Sequence, residues 1–355
     1  MAGDGQKGFL SIGNRRVGYG QPCFIIAEAG VNHNGSFELA RQLVDVAAEA
    51  GCDAVKFQTF KTEQVCSPLA PKAAYQKQTV PEDESQFDMI RKLELPLDAF
   101  RQLQSHCIDR GILFLSTPFD YESADFLGGL PVPAFKIPSG EITNIFFLEH
   151  IARKGVPLIV STGMATMDEV CTAVDAIRAT GNQQITLLQC VSNYPAKPSS
   201  MNLRAMHTLQ QAFGVPVGLS DHTVGIEVSL AAVALGACII EKHFTLNREL
   251  PGPDHRASLE PTDLRNLVEG TRKIEAALGD GIKCPTAEEL DTASVARRSL
   301  IAAAFIPAGT ALTAGMIDIL RPGTGLPPSM RPQVLNRKVK NDIQAGTILS
   351  LDMLA

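Results

Sequence analysis

Eight short apolar runs, each closed by glycine, proline or a polar residue, recur between residues 24 and 244, with helix-like stretches between most of them. They fall at 24–30 (FIIAEAG), 54–60 (AVKFQTF), 112–119 (ILFLSTPF), 134–140 (AFKIPSG), 157–163 (PLIVSTG), 185–192 (ITLLQCVS), 216–222 (PVGLSDH) and 238–244 (CIIEKHF). The runs are too short for helices and rich in β-branched and aromatic residues, which reads as buried parallel strands. Helical patterns are expected at 36–50, 96–110, 167–180, 201–213 and 224–235, and at 261–278 as the last of the series. Ser36 is placed to cap the first of these, with Leu39, Leu43 and Ala47 on one face. Eight strands with helical connections are what a (β/α)8 TIM barrel, an α/β fold, requires. A doubly wound open sheet usually has fewer strands and a G-x-G-x-x-G turn after the first; here only EAGVNHNG follows. The barrel is the better expectation.

Beyond the barrel, residues 279–292 (GDGIKCPTAEELDT) are polar and turn-rich and read as a linker. The tail contains an internal echo, 306–317 (IPAGTALTAGMI) against 343–354 (IQAGTILSLDML). Two copies of one short motif predict a small turn-rich domain with a pseudo-twofold, since a solenoid needs more repeats. The expected division is a barrel domain at 1–281, a linker at 282–294 and a tail domain at 295–355.

Composition excludes some partners. Apolar residues make up 45% of the 355, enough for a sizeable core, and the formal charge of −6 argues against bulk electrostatic binding of nucleic acid or an anionic membrane. The eight cysteines are scattered without a C-x-x-C, the pattern of reduced thiols in a cytoplasmic protein. Near the N-terminus, Asp4, Lys7, Arg15 and Arg16 interrupt any long apolar stretch, so no secretory leader is expected. The most apolar segment, 229–240, is too short to span a bilayer.

Polar residues at the C-terminal ends of barrel strands face the active site, because the βα loops build that face. Nearly every run ends this way: Glu28, Lys56 with Gln58, Thr117, Lys136 with Ser139, Ser161 with Thr162, Ser192, Ser220 with His222, and Glu241 with His243. Period-2 alternation puts Lys56 with Gln58, Ser220 with His222 and Glu241 with His243 on common faces. Any one of these can be a hydrogen-bonded structural group. Burying two lysines, two histidines and several hydroxyls at one end without a ligand is costly, so together they predict a site. Lys56 and Lys136 with Thr117, Ser139, Ser161 and Ser220 supply the charge and donors that a phosphate or carboxylate needs. His222 and His243 fit either a shared divalent cation, with Glu28 or Glu241 beside it, or a hydrogen-bonded core pair; spacing alone does not separate the two. His106, His150 and His207 lie in helical segments and are expected at the surface, and Asn32 and His33 in NHNG suit turn chemistry.

The motifs AEAGVNHNG, VKFQT, STPF, KIPSGE, STGM, SDHT, EKHFT and PGPDH, in this order, resemble the sialic acid synthase family, the phosphoenolpyruvate-dependent nonulosonate synthases. RPGTGLPP and the two AGT motifs are similar to that family's C-terminal antifreeze-like (SAF) domain. The resemblance implies phosphoenolpyruvate at Lys56, Thr117, Lys136, Ser139, Ser161 and Ser220, and Mn²⁺ or Mg²⁺ on His222 and His243. It implies Glu28 beside the metal and the sugar aldehyde, Gln58, Tyr194 and Asp254 on the sugar, and Arg321 reaching it from the SAF domain of a swapped homodimer. Where bacterial N-acetylneuraminate members carry Asn two residues before the tyrosine, this chain has Ser192, which opens the question of the sugar. The implied reaction condenses phosphoenolpyruvate with an open-chain N-acetylhexosamine, either N-acetylmannosamine or a di-N-acetylated 6-deoxy relative. A 6-phosphorylated sugar and a pseudaminic acid product are alternatives. Competing readings are a Schiff-base aldolase using Lys136 or Lys242, and an ice- or carbohydrate-binding protein built on the tail.

Overall fold

A computed structural model describes residues 8–72 and 84–355; Asp4 and Lys7, on which the leader expectation partly rests, lie outside them. The strands are β1 (Phe9–Ile12), β2 (Arg15–Gly18), β3 (Phe24–Gly30), β4 (Ala54–Thr59), β5 (Leu113–Pro118), β6 (Phe135–Ile137), β7 (Leu158–Ser161), β8 (Ile185–Cys190), β9 (Val217–Asp221) and β10 (Ile239–His243). Each of the eight apolar runs holds one strand from β3 to β10. These form one parallel sheet in the order β5-β4-β3-β10-β9-β8-β7-β6. Sequence neighbours pair in space, and β10 returns beside β3, as a TIM-like barrel requires. Among the described residues no ladder joins β5 to β6, so the ring is a near-barrel with one seam. β6 has only three residues, bracketed by Pro133 and Pro138, which have no N–H to offer a neighbour.

The interior follows a simple rule: inward positions start apolar and end polar. Phe24 and Ile26 precede Glu28, Ala54 precedes Lys56, Leu115 precedes Thr117, Ile159 precedes Ser161 and Ile239 precedes Glu241. The apolar halves form one buried cluster, closed from below by Leu10, Ile12 and Val17 of the β1–β2 hairpin. Sequence reading passed over this hairpin, although Gly13–Asn14 between two short alternating stretches is a turn signal. The outward faces of the strands pack against the helices in a second, larger core.

Local chemistry sets the helices. Ser36 accepts from the Leu39 amide to start Phe37–Glu49, which buries Ala40, Leu43, Val44 and Ala47. The helix expected at 201–213 begins only at Ala205, because Asn202 adopts φ +45° and interrupts it. That expected at 224–235 is shorter, Glu227–Ala234. No helix among the described residues is long and apolar enough to cross a membrane.

A second compact unit spans Asp280–Ala355. Part of the segment read as a linker is helical. Thr286 and Glu289 make a capping box that starts Ala287–Ala296, a T-x-x-E signal that the polar composition masked. β11 (Ser299–Ala302) pairs antiparallel with β12 (Ile317–Leu320). The echoed motifs meet directly: Ile306 and Ile343 exchange both backbone hydrogen bonds at 2.9 Å. The AGT glycines, Gly309 and Gly346, both turn the chain with positive φ, +76° and +81°. Leu300, Leu312, Val334, Val339 and Leu349 fill the small core between the copies.

Candidate active site

The polar halves of the inward rows converge at the C-terminal end of the barrel. Strand register holds them level, with Glu28 beside both His243 and Lys56, and Glu241 beside Ser220. Lys56 Nζ lies 2.7 Å from Glu28 Oε2 and 3.7 Å from Glu241 Oε2, and donates to Thr117 Oγ1 at 2.9 Å. Lys136 Nζ is 3.2 Å from Glu241 Oε1, which also accepts from Ser220 Oγ at 3.0 Å. Gln58 Nε2 donates to Glu28 Oε1 at 3.3 Å. Glu28, Lys56, Lys136 and Glu241 are each at most 3% exposed. Glu241, which sequence analysis placed only beside the metal candidates, is the acid that bridges the two lysines. Its period-2 relation to His243 was the available signal.

The two acids are driven apart. Burial pushes the Glu28 carboxyl up to about 7, against the pull of Lys56, with the Glu241 charge adding to the rise. Burial also opposes ionisation of Glu241, but Lys136, Lys56 and His243 outweigh it and hold this carboxyl low. Burial lowers Lys136. It works against Lys56 too, where the two carboxylates win and the ammonium is held on. One acid is therefore a standing counter-ion and the other can exchange a proton near neutrality.

His222 and His243 sit with ring centroids 5.3 Å apart. The Tyr194 ring lies 4.0 Å from that of His222 and 5.4 Å from that of His243. His222 Nδ1 donates to the Val191 carbonyl at 2.7 Å, so in the neutral ring the lone pair is on Nε2; burial opposes a charge here, but Cys190, the Val191 carbonyl and Glu241 outweigh it and raise this imidazole above its usual range. His243 Nδ1 is buried with no hydrogen-bond partner, 3.9 Å from Asp254 Oδ2. Burial and the neighbouring His222 hold His243 well below the usual imidazole range, and burial raises Asp254 to about 6. Among the described residues no three His, Cys, Asp or Glu side chains form a complete metal cluster. Two imidazoles with ring nitrogens facing the mouth are a donor set that could hold a divalent cation only with further ligands from outside the chain. Space is kept by Gly30, at φ +53°, where a Cβ would stand 3.2 Å from Glu28 Oε1, 3.4 Å from Gln58 Nε2 and 3.6 Å from His243 Cε1.

Ser139 and Ser192 both crowd Gly163, whose amide donates to Ser139 Oγ at 2.9 Å, and Ser161 Oγ is buried without a partner. Cys190 Sγ, 3.9 Å from His222 Nδ1, was not singled out as a site residue, although it ends β8. Arg321 belongs to the second unit, is exposed, and donates from Nε to the Ala296 carbonyl at 3.0 Å. Lys242 lies on the opposite face of β10, paired with Asp221 Oδ2 at 2.9 Å, away from the mouth. NHNG is more than a turn. Asn32 Nδ2 donates to the Phe244 carbonyl and to Ser258 Oγ at 2.8 and 2.9 Å, and His33 is buried. His106 and His150 pair with Asp45 and Asp125.

The NeuB family profile matches residues 43–283, and the SAF domain profile residues 297–355. The N,N'-diacetyllegionaminic acid synthase of Legionella pneumophila is 46% identical over 336 residues, 94% of each chain. The enzyme of the same name from Campylobacter jejuni is 49% identical over 304 residues, 85% of this chain and 91% of its own. The crystal structure of N-acetylneuraminic acid synthetase from Leptospira borgpetersenii superposes with a TM-score of 0.71 at 37% identity, over 81% of this chain and 95% of that one. A barrel mouth of this composition, the matched tail and identities of this size have one consequence: the chain belongs to the NeuB family, the sialic-acid-type nonulosonate synthases, and is an enzyme of that kind carrying a SAF domain.

Proposed function

We propose that this enzyme joins phosphoenolpyruvate to an open-chain di-N-acetylated 6-deoxyhexose, giving a nine-carbon 2-keto-3-deoxy acid of the legionaminic type and phosphate. The observation that carries the proposal is the buried cluster of Lys56, Lys136, Glu28 and Glu241 beside the His222–His243 pair. The choice of sugar follows the two relatives named for N,N'-diacetyllegionaminic acid.

Lys56 and Lys136, with hydroxyls of Thr117, Ser139, Ser161 and Ser220, bind the phosphate and carboxylate of phosphoenolpyruvate through charge-assisted bonds. Gln58, Tyr194, Asp254 and Ser192 line the sugar. C3 of phosphoenolpyruvate bonds to the aldehyde carbon, and the aldehyde oxygen takes a proton to become the new hydroxyl. Positive charge then develops at C2, where ionised Glu241 and Glu28 oppose it. Water adds its oxygen to C2 and gives one proton to Glu28; the bond from C2 to the phosphate oxygen then breaks, the new C2 hydroxyl passes its remaining proton to the departing phosphate, and C2 is left as the ketone while phosphate keeps the bridging oxygen. With its carboxyl near neutrality, Glu28 both gives and takes a proton in this sequence. A Mn²⁺ or Mg²⁺ ion held by His222 and His243 would supply Lewis-acid polarisation of the aldehyde. Holding both reactants in register supplies much of the acceleration.

The enzyme works in the cytoplasm as a swapped homodimer in which Arg321 of one chain completes the sugar site of the other. The test is phosphate release from phosphoenolpyruvate with a panel of hexosamines, with and without Mn²⁺. Release that needs both a di-N-acetylated sugar and the metal supports the reading. Release independent of sugar, or borohydride trapping of pyruvate on Lys136, contradicts it.

A further inference from the structure

Ser220, His222, Glu241 and His243 reach the mouth from β9 and β10, and the residues that alternate with them face the helices instead. That outer row is otherwise apolar core: Val217 and Leu219 on β9, Ile240 on β10 and Phe244 just past its end. Asp221 and Lys242 break it. They are direct partners across the two strands, 0% and 1% exposed, with Lys242 Nζ 2.9 Å from Asp221 Oδ2. In the chain Asp221 lies between Ser220 and His222, and Lys242 between Glu241 and His243. One ion pair that the reaction does not use therefore stands directly behind four groups of the mouth.

The pair is bonded on every side. Asp221 Oδ1 accepts from the amide and the hydroxyl of Thr223, both at 2.8 Å. Its Oδ2 also accepts from Ser229 Oγ at 2.6 Å, on the helix Glu227–Ala234. Lys242 Nζ donates in addition to the Thr223 carbonyl. His222 is thus held between two residues fixed on the outer side, and its own carbonyl accepts from the Ala196 amide at 2.9 Å. Ala196 follows Tyr194 by two residues, and the Tyr194 ring lies 4.0 Å from that of His222. A buried ion pair adds little stability over well-packed apolar residues, and aliphatic side chains fill this row one level below. What it adds is direction, because charge-assisted bonds to particular atoms fix an orientation that aliphatic contacts leave loose.

We propose that Asp221 and Lys242 are positioning residues: they hold the turn after β9 against β10, and so set the 5.3 Å spacing of the His222 and His243 rings and the place of Tyr194 beside them. The proposal rests on the synthase reading above for its effect on turnover. The experiment compares the full-length wild type with Asp221→Asn/Lys242→Met, which removes both charges at nearly constant volume. Crystal structures of both give the ring positions, and urea titrations give the stability. Phosphate release with 2,4-diacetamido-2,4,6-trideoxymannose gives kcat and both KM values. The double variant should unfold at the wild-type urea concentration, with the His222 ring displaced from His243 by about 1 Å or more and kcat lowered at least about tenfold. The phosphoenolpyruvate KM should not move, because Lys56 and Lys136 lie on β4 and β6. Ser229→Ala, which frees one side of Asp221 and leaves both charges, should act in the same direction if the double variant does not fold. Rings that keep their spacing in the folded variant, a shift that leaves kcat unchanged, or a kcat that falls only in step with stability overturn the proposal. If the rings shift but the wild type releases no phosphate with any hexosamine, the positioning role stands and the synthase reading falls.

Discussion

Lys56 stands between two carboxylates, so its removal is felt through the charges it leaves behind. Breaking a buried pair from one side costs about 3–5 kcal/mol, most of it from the uncompensated partner. Lys56→Met should therefore lower stability by roughly that amount in urea titrations at pH 8, with loss of phosphoenolpyruvate binding. The double variant Lys56→Met/Glu28→Gln should recover a large part of the stability and none of the binding; a double variant as unstable as the single one would show that the pair does not set the cost. A second residue-scale prediction concerns pH. Burial holds the imidazoles of His33 and His255 down to about 4, from 6.5. Below pH 6.5 the unfolded chain takes up protons that these folded imidazoles refuse, so their contribution to stability falls between pH 6.5 and 4. Glu28 and Asp254, raised to about 7 and about 6, act in the opposite sense, binding protons in the folded state first. The difference between wild type and His255→Asn isolates the histidine: the stability gap should narrow as pH falls from 6.5 to 4, and a gap independent of pH contradicts the assignment.

The β1–β2 hairpin is the element that lets the barrel be polar at one end. It seals the other end with Leu10, Ile12 and Val17, so the apolar halves of the inward rows need no ligand to stay dry. Ile12, fully buried there, is predicted to cost about 2–5 kcal/mol as Ile12→Ala while leaving both KM values unchanged. A change in KM without loss of stability would mean that the floor reports on the site. Sequence reading found the eight barrel strands because each is a continuous apolar run ending in a polar residue, and it found the lysines and histidines because they sit at those ends. It passed over the hairpin, whose strands are four residues each, and the helix at Ala287–Ala296, whose exposed sides carry no apolar stripe. The role of Glu241 was equally hidden. Alternation gives the face on which a carboxylate sits, but not which of two buried acids is held ionised; that depends on Lys136 reaching across the barrel to it.

The whole molecule has two compact units, and the proposed reaction draws on both. Gln58, Asp254 and the histidines come from the barrel, and Arg321 from the SAF unit. If Arg321 completes a neighbour's site, Arg321→Ala should raise the sugar KM at least about tenfold and leave phosphoenolpyruvate binding intact. Mixing it with inactive His222→Ala chains should then restore activity, since a mixed dimer holds one barrel with intact histidines facing an intact arginine. A mixture that exchanges chains and stays dead would contradict the shared site. The central claim is that phosphoenolpyruvate is consumed by cleavage between C2 and its bridging oxygen, in step with bonding to the sugar aldehyde. It is tested most directly with phosphoenolpyruvate carrying ¹⁸O in that bridge, incubated with the diacetamido sugar and Mn²⁺. The account predicts that the label leaves entirely in phosphate, one phosphate per 2-keto acid formed; label retained in the keto acid, or pyruvate serving equally well as donor, would contradict it.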